Sequence, residues 1–349
     1  MWFYFNDDDI IIIIVFYAYL MKKDVFYMKI NILKCHGTGN DFILIDEYNN
    51  DYNFSEEGRK ELAILACNRE KSIGGDGILF VQKSSICDAK MRIFNSDGSE
   101  AEMCGNGLRC VGRYVMEILK KDEIQIETMK AKYFVQKQEE VYKGIKTVKI
   151  FIDSISLDPK SLPMNSKKDS VLFENVPELS DQLKFAAISI TNPHLISIVN
   201  EIDTNELVEV GVKGNSTKSV LPKGVNVSFV KVFDEKDIYV KTYERGVGLT
   251  KSCGTAMTAS SVAACLSGKV DFDRKISIFN DGGMINSIVH KKENGNYLVE
   301  FIGNATFVFE GTMEFSNNEV NNVIVDNTPY EEETKDYAEF FKYTRKCIQ

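Results

Sequence analysis

Two short stretches in this chain share one grammar: a cysteine, a small-residue turn, then apolar residues at helical spacing. The first is Met103-Cys104-Gly105-Asn106-Gly107-Leu108-Arg109-Cys110-Val111. The second is Ser252-Cys253-Gly254-Thr255-Ala256-Met257-Thr258-Ala259. After the first cysteine the larger apolar residues are Leu108, Val111, Tyr114, Val115 and Ile118. After the second, Met257, Val262 and Leu266 stand among alanines, which suits close packing. The period is that of a buried helix, so each Cys-Gly pair is expected at a helix N-terminus. Free backbone N–H groups and the positive dipole end there favour a thiolate and can also hold a carboxylate. Two such units in one chain imply two halves that each deliver one thiol. Facing each other across a cleft, the thiols would handle a proton from opposite faces of one carbon. The plainer alternative is two buried structural cysteines, since free Cys is among the most buried residue types.

Composition narrows the classes. The 349 residues are enough for two ordinary domains, and 44% hydrophobic with 27% charged residues is globular usage. A net charge of −9 argues against a general nucleic-acid binder, which shows a basic face. Cysteines stand at 35, 67, 87, 104, 110, 253, 265 and 347, with no C-x-x-C pair, so neither a zinc ribbon nor a thioredoxin-type site is indicated. The three histidines, His36, His194 and His290, are far apart and have no ligand spacing. Cysteines without a regular framework fit a reducing cytosol, and a cytoplasmic protein is expected.

In chain order, residues 1–27 look foreign to the rest. Asp7-Asp8-Asp9 precede an unbroken apolar run over residues 10–20, too short for a transmembrane helix of about 20 residues and without the basic n-region of a signal peptide. An upstream extension is expected, with the fold starting near Met28; an extra edge strand or a membrane-surface contact is the alternative. Strands are expected at 29–34, 42–45, 78–82, 91–94 and 148–152. In the second half they fall at 186–190, 225–230 and 238–243 and continue through 308. Ser55-Glu56-Glu57 starts a helix ending near Asn68, with Leu62, Leu65 and Ala66 inward. Residues 158–182, rich in Ser, Pro, Asn and Lys, read as a connection. Thr328-Pro329-Tyr330-Glu331 reads as a capping box with proline at the first helical position, opening a short terminal helix.

Several turns end in amides or charges: Asn40, Asn95, Asn192, Asn226 and the pair Glu244-Arg245. In turns such residues usually serve backbone conformation alone. Their order raises a chemical reading, because Asn95 precedes the Cys104 unit and Glu244-Arg245 precedes the Cys253 unit. Arg offers a fork to a carboxylate and Glu accepts from an ammonium, which suits a zwitterionic amino-acid group.

These turns also carry a resemblance. The chain resembles the diaminopimelate epimerases, a family of cofactor-independent amino-acid epimerases, in stretches that run in family order from about Lys34 to Thr306. They include His36-Gly37-Thr38-Gly39-Asn40-Asp41-Phe42, Ile73-Gly74-Gly75-Asp76-Gly77, Phe94-Asn95-Ser96-Asp97-Gly98-Ser99-Glu100 and Met103-Cys104-Gly105-Asn106-Gly107. The others are Asn192-Pro193-His194, Gly224-Val225-Asn226, Glu244-Arg245-Gly246-Val247-Gly248 and Cys253-Gly254-Thr255. The resemblance implies an α/β protein of two pseudo-symmetric lobes, each a mixed sheet wrapped around a central helix, with the substrate between them. The lobes would be residues 28–148, completed by a strand near 305–316, and residues 149–304; residues 317–349 would form a C-terminal tail. It implies Cys104 and Cys253 as base and acid, and Asn40, Asn95, Asn192, Asn226, Glu244 and Arg245 as substrate ligands. The backbone around Gly105-Asn106 and Gly254-Thr255 would hold the α-carboxylate.

The implied reaction is conversion of LL-diaminopimelate to the meso form, for lysine and peptidoglycan precursor synthesis, with no cofactor and no metal. A small-molecule partner is expected, with no nucleic acid and no membrane; a homodimer is compatible with it. Departures are Thr38 where leucine is frequent, Gly77 where glutamine occurs, Leu249 for an acidic residue and Ala256 for a glycine. The alternatives are another racemase or isomerase on the same fold, a phosphate or nucleotide binder using the Gly-rich turns, and a non-catalytic binding protein. The second lacks any G-x-x-x-x-G-K-[ST].

Overall fold

The computed structural model describes residues 27–316, 319–325 and 329–348. The expected N-terminal extension therefore lies almost wholly outside the described residues, as does Thr328 of the expected capping box. Among the described residues no helix is long and apolar enough to cross a membrane.

One pattern of strand pairing occurs twice. In the first half, β1 (Tyr27–Gly37) and β2 (Asn40–Asp46) form an antiparallel hairpin. Helix α1 (Glu56–Ala66) then carries the chain to β3 (Gly77–Gln82), parallel to β2. β4 (Ala89–Asn95) runs back antiparallel and adds the short β5 (Glu100–Ala101). Helix α2 (Gly105–Leu119) crosses to β6 (Glu123–Glu127), parallel to β4. β7 (Lys132–Gln138) and β8 (Thr147–Ile152) complete an antiparallel meander.

After β9 (Ile155–Ser156) and β10 (Glu174–Val176), the same sequence of pairings returns. β11 (Ser180–Ile190) and β12 (Asn192–Val199) are the hairpin. α3 (Thr204–Ser216) leads to the parallel β13 (Asn226–Val232). β14 (Asp237–Glu244) and β15 (Gly248–Thr250) follow, then α4 (Gly254–Leu266). β16 (Lys275–Asn280) is parallel to β14, and β17 (Gly283–Lys291) and β18 (Tyr297–Asn304) close the repeat. β18 pairs antiparallel with β8, which joins the halves. β19 (Thr306–Ser316) returns along β1 and pairs with β20 (Glu319–Val325). The last element is α5 (Glu331–Cys347).

Each half thus wraps its sheet around one helix, α2 or α4, and lays another, α1 or α3, on the outside. The wrapped helices are buried nearly all round. Every residue of α4 from Gly254 to Cys265 is buried, as are eleven residues of α2, which is why their sequences read apolar on more than one face. Leu108, Val111 and Val115 of α2 share one core with Met257, Ala259 and Val262 of α4, with Phe301 and Phe307 between. A separate cluster lies under α1 around Leu62, Ile78 and Phe80, and another under α3 around Leu207, Val227 and Phe229.

Local signals explain most element ends. The Ser55 hydroxyl accepts from Gly58 N–H at the start of α1, with Glu56 and Glu57 in the first turn. Leu62 and Ala66 point inward as expected, while Leu65 is only half-buried. At the start of α5, Tyr330 is the N-cap, with no side-chain cap bond, and Pro329 precedes it. Proline therefore stands outside the helix rather than at its first position, and the helix is 17 residues long, not short. The stretch read as a connection over 158–182 holds a 3-10 turn at Pro159–Ser161 and strand β10. Helix α3 was not legible in advance: its apolar spacing is interrupted by Gly211 and Gly214, and its cap is Asp203, whose carboxylate accepts from Asn205 and Glu206 N–H.

Gly112 shows how closely α2 fills its sheet. A Cβ there would lie 2.4 Å from Val135 Cγ1, on a β-branched side chain with little freedom to turn away. We expect Gly112→Ala to cost about 1–3 kcal/mol by overpacking, seen as a lower urea midpoint with unchanged slope; an unaltered midpoint would mean the lobe is packed less tightly than described.

Candidate active site

Cys104 and Cys253 are the N-cap residues of α2 and α4, both in extended backbone conformation and neither using its side chain as a cap. The first free N–H groups of each helix therefore stay directed outward. The two helix starts abut: a Cβ on Gly254 would be 3.6 Å from Gly105 Cα and 3.7 Å from Asn106 N. Phe301 of β18 lies beneath both, within 3.5 Å of such a Cβ on Gly105 and 3.6 Å of one on Gly254. These are ordinary van der Waals distances, so the two helix ends are packed directly against each other and against this ring.

Around Cys104, the thiol donates to Asn40 Oδ1 at 3.6 Å, and Asn106 Nδ2 donates to the same oxygen at 3.3 Å. Asn40 is oriented by Asp76, which accepts from its Nδ2 at 2.6 Å and from Asp41 N–H at 3.0 Å. Arg69 bridges Asp41 and Asp76, and Lys34 pairs with Asp41 at 2.5 Å. The β1–β2 turn that presents Asn40 has positive φ at Thr38 and Gly39, the twist a two-residue hairpin favours. Threonine is an unusual residue for that conformation. It is held there by its N–H to Asn304 Oδ1 at 2.7 Å and by Arg109 Nη2 donating to its hydroxyl at 2.9 Å.

The Cys253 side has the same plan with other chemistry. Thr255 Oγ1 lies 3.5 Å from the sulfur and accepts from Asn192 Nδ2 at 3.2 Å. His194 Nε2 lies 2.9 Å from Asn192 Oδ1, which makes the ring the donor there. The Glu244 carboxylate is close enough to the Cys253 thiol to raise it electrostatically, and it accepts from Thr250 Oγ1 at 2.5 Å. Asn226 Oδ1 accepts from Arg245 N–H at 2.8 Å, and Arg245 Nη1 donates to Lys223 O at 3.1 Å.

The strand register relates the two sides. Gly77 stands opposite Asn95 where β3 meets β4; Asn226 stands opposite Glu244, one residue before the pair Val227–Tyr243. Asn40 and Asn192 each open the second strand of a hairpin. Asn95, Asn40 and Gly77 thus correspond to Glu244, Asn192 and Asn226. Among the described residues the Asn95 side chain has no hydrogen bond to another candidate: its Nδ2 donates to Ser99 Oγ at 2.9 Å. At Gly77 a Cβ would be 2.5 Å from the Phe94 carbonyl oxygen, so this chain has no room for a side chain where relatives of the resemblance can carry glutamine. Leu249 is exposed and Ala256 fully buried, and α4 nevertheless begins at Gly254.

Electrostatics also differ between the sides. Burial pushes the Cys104 thiol up to about 11, against the pull of Asn106 and Gly107 backbone hydrogen bonds and the Arg109 charge. Burial raises Cys253 well above a free thiol too, and there the Glu244 charge adds to the rise. Glu244 itself is pushed up by burial. Arg109 is wholly buried, with Nε donating to Asn304 O at 2.9 Å, and has no carboxylate partner among the ion pairs of the described residues. Its counterpart on α4 is the neutral Thr258, whose hydroxyl donates to Gly254 O at 3.0 Å. Sequence reading passed over Arg109 and Asp76. An arginine on the apolar face of a buried helix was the available signal for the first; the second stood unremarked inside a glycine-rich turn.

Among known proteins, the family model for diaminopimelate epimerase matches residues 32–147 and 186–308. The chain is 67% identical over 326 residues to a diaminopimelate epimerase of Clostridium acetobutylicum, covering 93% of this chain and 98% of the relative. It is 41% identical over 325 residues to one from Listeria monocytogenes, covering 90% and 99%. Among solved structures, a hydroxyproline epimerase from Agrobacterium vitis superposes with a TM-score of 0.60 at 13% identity, over 82% of this chain and 92% of that one. A PhzF-family protein of Bacillus anthracis superposes with a TM-score of 0.60 at 17% identity, over 82% and 99%. These two share the fold of paired pseudo-symmetric lobes.

Two measurements check the local chemistry. With iodoacetamide and residue-resolved mass spectrometry, exposed Cys347 should label first, Cys104 only as the pH climbs toward 11, and Cys253 after it; equal labelling of Cys104 and Cys253 at pH 8 would contradict the burial described. Burial also lowers His194 to about 3 and His36 to about 4, from 6.5. Between pH 6.5 and 4 the unfolded chain binds protons that the folded chain excludes, so stability falls as pH drops through that window. His194→Gln should flatten that fall in denaturant titrations, and an unchanged slope would refute the assignment. By its sequence and by the matched length of its relatives, the chain belongs to the diaminopimelate epimerase family.

Proposed function

We propose that this enzyme interconverts LL- and meso-diaminopimelate by a two-base proton transfer between Cys104 and Cys253. The observation that carries the reading is the abutment of two Cys-capped helix N-termini. A substrate α-carboxylate held by the N–H groups around Gly105-Asn106 and Gly254-Thr255 would present its Cα between the two sulfurs. One cysteine, as thiolate, takes the Cα proton. The other, as thiol, gives a proton to the opposite face, so configuration inverts and the two sulfurs exchange protonation states.

General acid–base catalysis contributes about 10²–10⁴-fold, too little for so weak a carbon acid. The helix N–H groups supply the rest by stabilising charge that develops on the carboxylate, in a site that excludes water. Both thiols titrate high in the free protein, so the thiolate has to be made as an anionic ligand and its partner groups assemble. Both proton transfers are assigned to thiols, and the reading requires no cofactor.

At the far end of the substrate, Glu244 and Arg245 suit an ammonium and a carboxylate, with Asn40, Asn95, Asn192 and Asn226 lining the remainder. Two of these carry extra support. Asn106 Oδ1 and His194 Nδ1 are buried without partners among the described residues, so the shells of Asn40 and Asn192 hold spare polar capacity. Asn226 Oδ1 also accepts from Arg245 N–H, which ties this ligand to the Glu244-Arg245 turn. The lobe division at residues 148 and 149, a homodimer, a cytoplasmic location and a place in lysine and peptidoglycan precursor synthesis belong to the same reading.

The test is incubation of reduced protein with LL-diaminopimelate in D₂O, followed by NMR and chiral analysis. Deuterium should enter at Cα with appearance of the meso form, and Cys104→Ala and Cys253→Ala should each lower conversion at least about 10²-fold. Exchange with single-ended amino acids instead would move the substrate to another racemase class. No exchange with any amino acid, in folded protein with free thiols, would return both cysteines to the core.

A further inference from the structure

Helix α5 begins beyond residue 308, where the family model's match ends, yet it touches both halves of the site from behind. Its first turn grips the Cys104 side. The Glu333 carboxylate takes Arg113 Nη1 and Nη2 at 2.6 Å each, and also accepts from Phe307 N–H at 3.1 Å. Arg113 lies on α2, whose N-cap is Cys104, and its guanidinium is 3.7 Å from the Phe307 ring centroid. The pair is largely buried on both partners, so breaking it would strand a charge.

One turn further on, Tyr337 reaches both sides. Its ring meets His36 of β1 edge-on, with centroids 4.2 Å apart. Its hydroxyl donates to Gly282 O at 2.8 Å. Gly282 belongs to the turn between β16 and β17, and its N–H donates to Lys251 O and to Asn280 Oδ1, each at 2.9 Å. Asn280 Nδ2 in turn donates to Ser252 Oγ at 3.0 Å. The turn that Tyr337 holds therefore holds the two residues directly before Cys253. The same turn presses on the hairpin that presents Asn40: a Cβ on Gly282 would be 2.3 Å from Thr38 O, and one on Gly39 would be 3.2 Å from Gly282 O. Farther along, Phe340 is fully buried with Phe279 and Met284, and Arg345 pairs with Asp281 at 3.1 Å.

Residues 333 and 337 lie one above the other on a single helix face, at i and i+4. A helix is stiff over that length, so the spacing between Arg113 and Gly282 is set by α5. We propose that α5 is a clasp across the two lobes, and that Tyr337 is a positioning residue whose hold on Gly282 fixes Lys251-Ser252 and so places Cys253 against Cys104. The proposal rests on the two-thiol reading of the site. Tyr337 touches no reacting group; it acts through the turn. Because misplacing a catalytic group by about 1 Å costs about 10²-fold, loss of this one hydrogen bond should be felt in turnover rather than in substrate binding.

The experiment compares the full chain with Tyr337→Phe, which keeps the ring against His36 and loses the hydrogen bond, and with Glu333→Gln. Folding is checked by circular dichroism and thermal melting. Two quantities are read: kcat and KM for diaminopimelate, and the rate at which a short bifunctional alkylating reagent, losing one halide to each thiol, links Cys104 to Cys253, followed by peptide mass mapping. The expected result for Tyr337→Phe is kcat down about tenfold with KM changed less than about twofold, and linking slowed at least threefold while single labelling of Cys104 is unchanged. Glu333→Gln should move the same two quantities in the same direction. Unchanged linking in folded Tyr337→Phe protein would overturn the proposal, whatever the activity. Slowing of Cys104 labelling in step with linking would also overturn it, because that is the mark of general loosening. The linking rate needs no turnover, so if Cys104→Ala retained full activity the two-thiol reading would fall while the clasp was still decided by the link.

Discussion

Two helix N-termini meeting on the ring of Phe301 are the constraint on which the rest of the structure depends. The ends meet at Gly105 and Gly254, and their approach brings two sets of outward N–H groups and two sulfurs to one place. Each helix has to be wrapped by its own sheet, because a helix that must end in the middle of the molecule cannot lie on the surface. The repeated order of pairings supplies two such wrappings, and the β8–β18 ladder locks their relation. Asn304, at the end of β18, finishes the junction: its side chain binds Thr38 N–H, His36 O and Thr306 Oγ1, and its carbonyl takes Arg109 Nε.

The two halves share a backbone plan but not an electrostatic one. The first surrounds its cysteine with an asparagine, a buried arginine and a carboxylate-braced turn. The second uses a threonine, a buried carboxylate and a histidine kept neutral by burial. An α-carbon acid with one polar end and one reacting end has no symmetry of its own, so a symmetric pair of pockets would hold it badly. The differences at corresponding positions, Gly77 against Asn226 and Asn95 against Glu244, put neutral groups on one side and a carboxylate on the other. Desolvation is the common term: it raises both thiols and Glu244 and lowers both buried histidines, because each loses water that its charged form needs.

Much of this was legible in the sequence, for identifiable reasons. Cys104 and Cys253 as helix N-caps followed from the apolar period after each Cys-Gly, and the strands followed from short β-branched runs between Gly and Asn turns. The order of the motifs carried the family. Pairings between distant strands were not legible, since nothing local in β18 names β8 as its partner. Helix α3 was hidden by its glycines; α5 was legible as a helix from its Thr328-Glu331 capping pattern, but its cap at Tyr330 and its 17-residue length were not.

What the sequence by itself determined is which residues start each helix and turn, because propensity, capping and φ preference act within a few positions. What only the tertiary structure decided is which of those residues meet. Asp76 orients Asn40 across 36 positions, Arg109 reaches Asn304 across 195, and Glu333 reaches Arg113 across 220. Contacts at that separation are fixed by how the two wrapped lobes and the terminal helix close on one another, and that closure is a property of the packed core rather than of any one stretch.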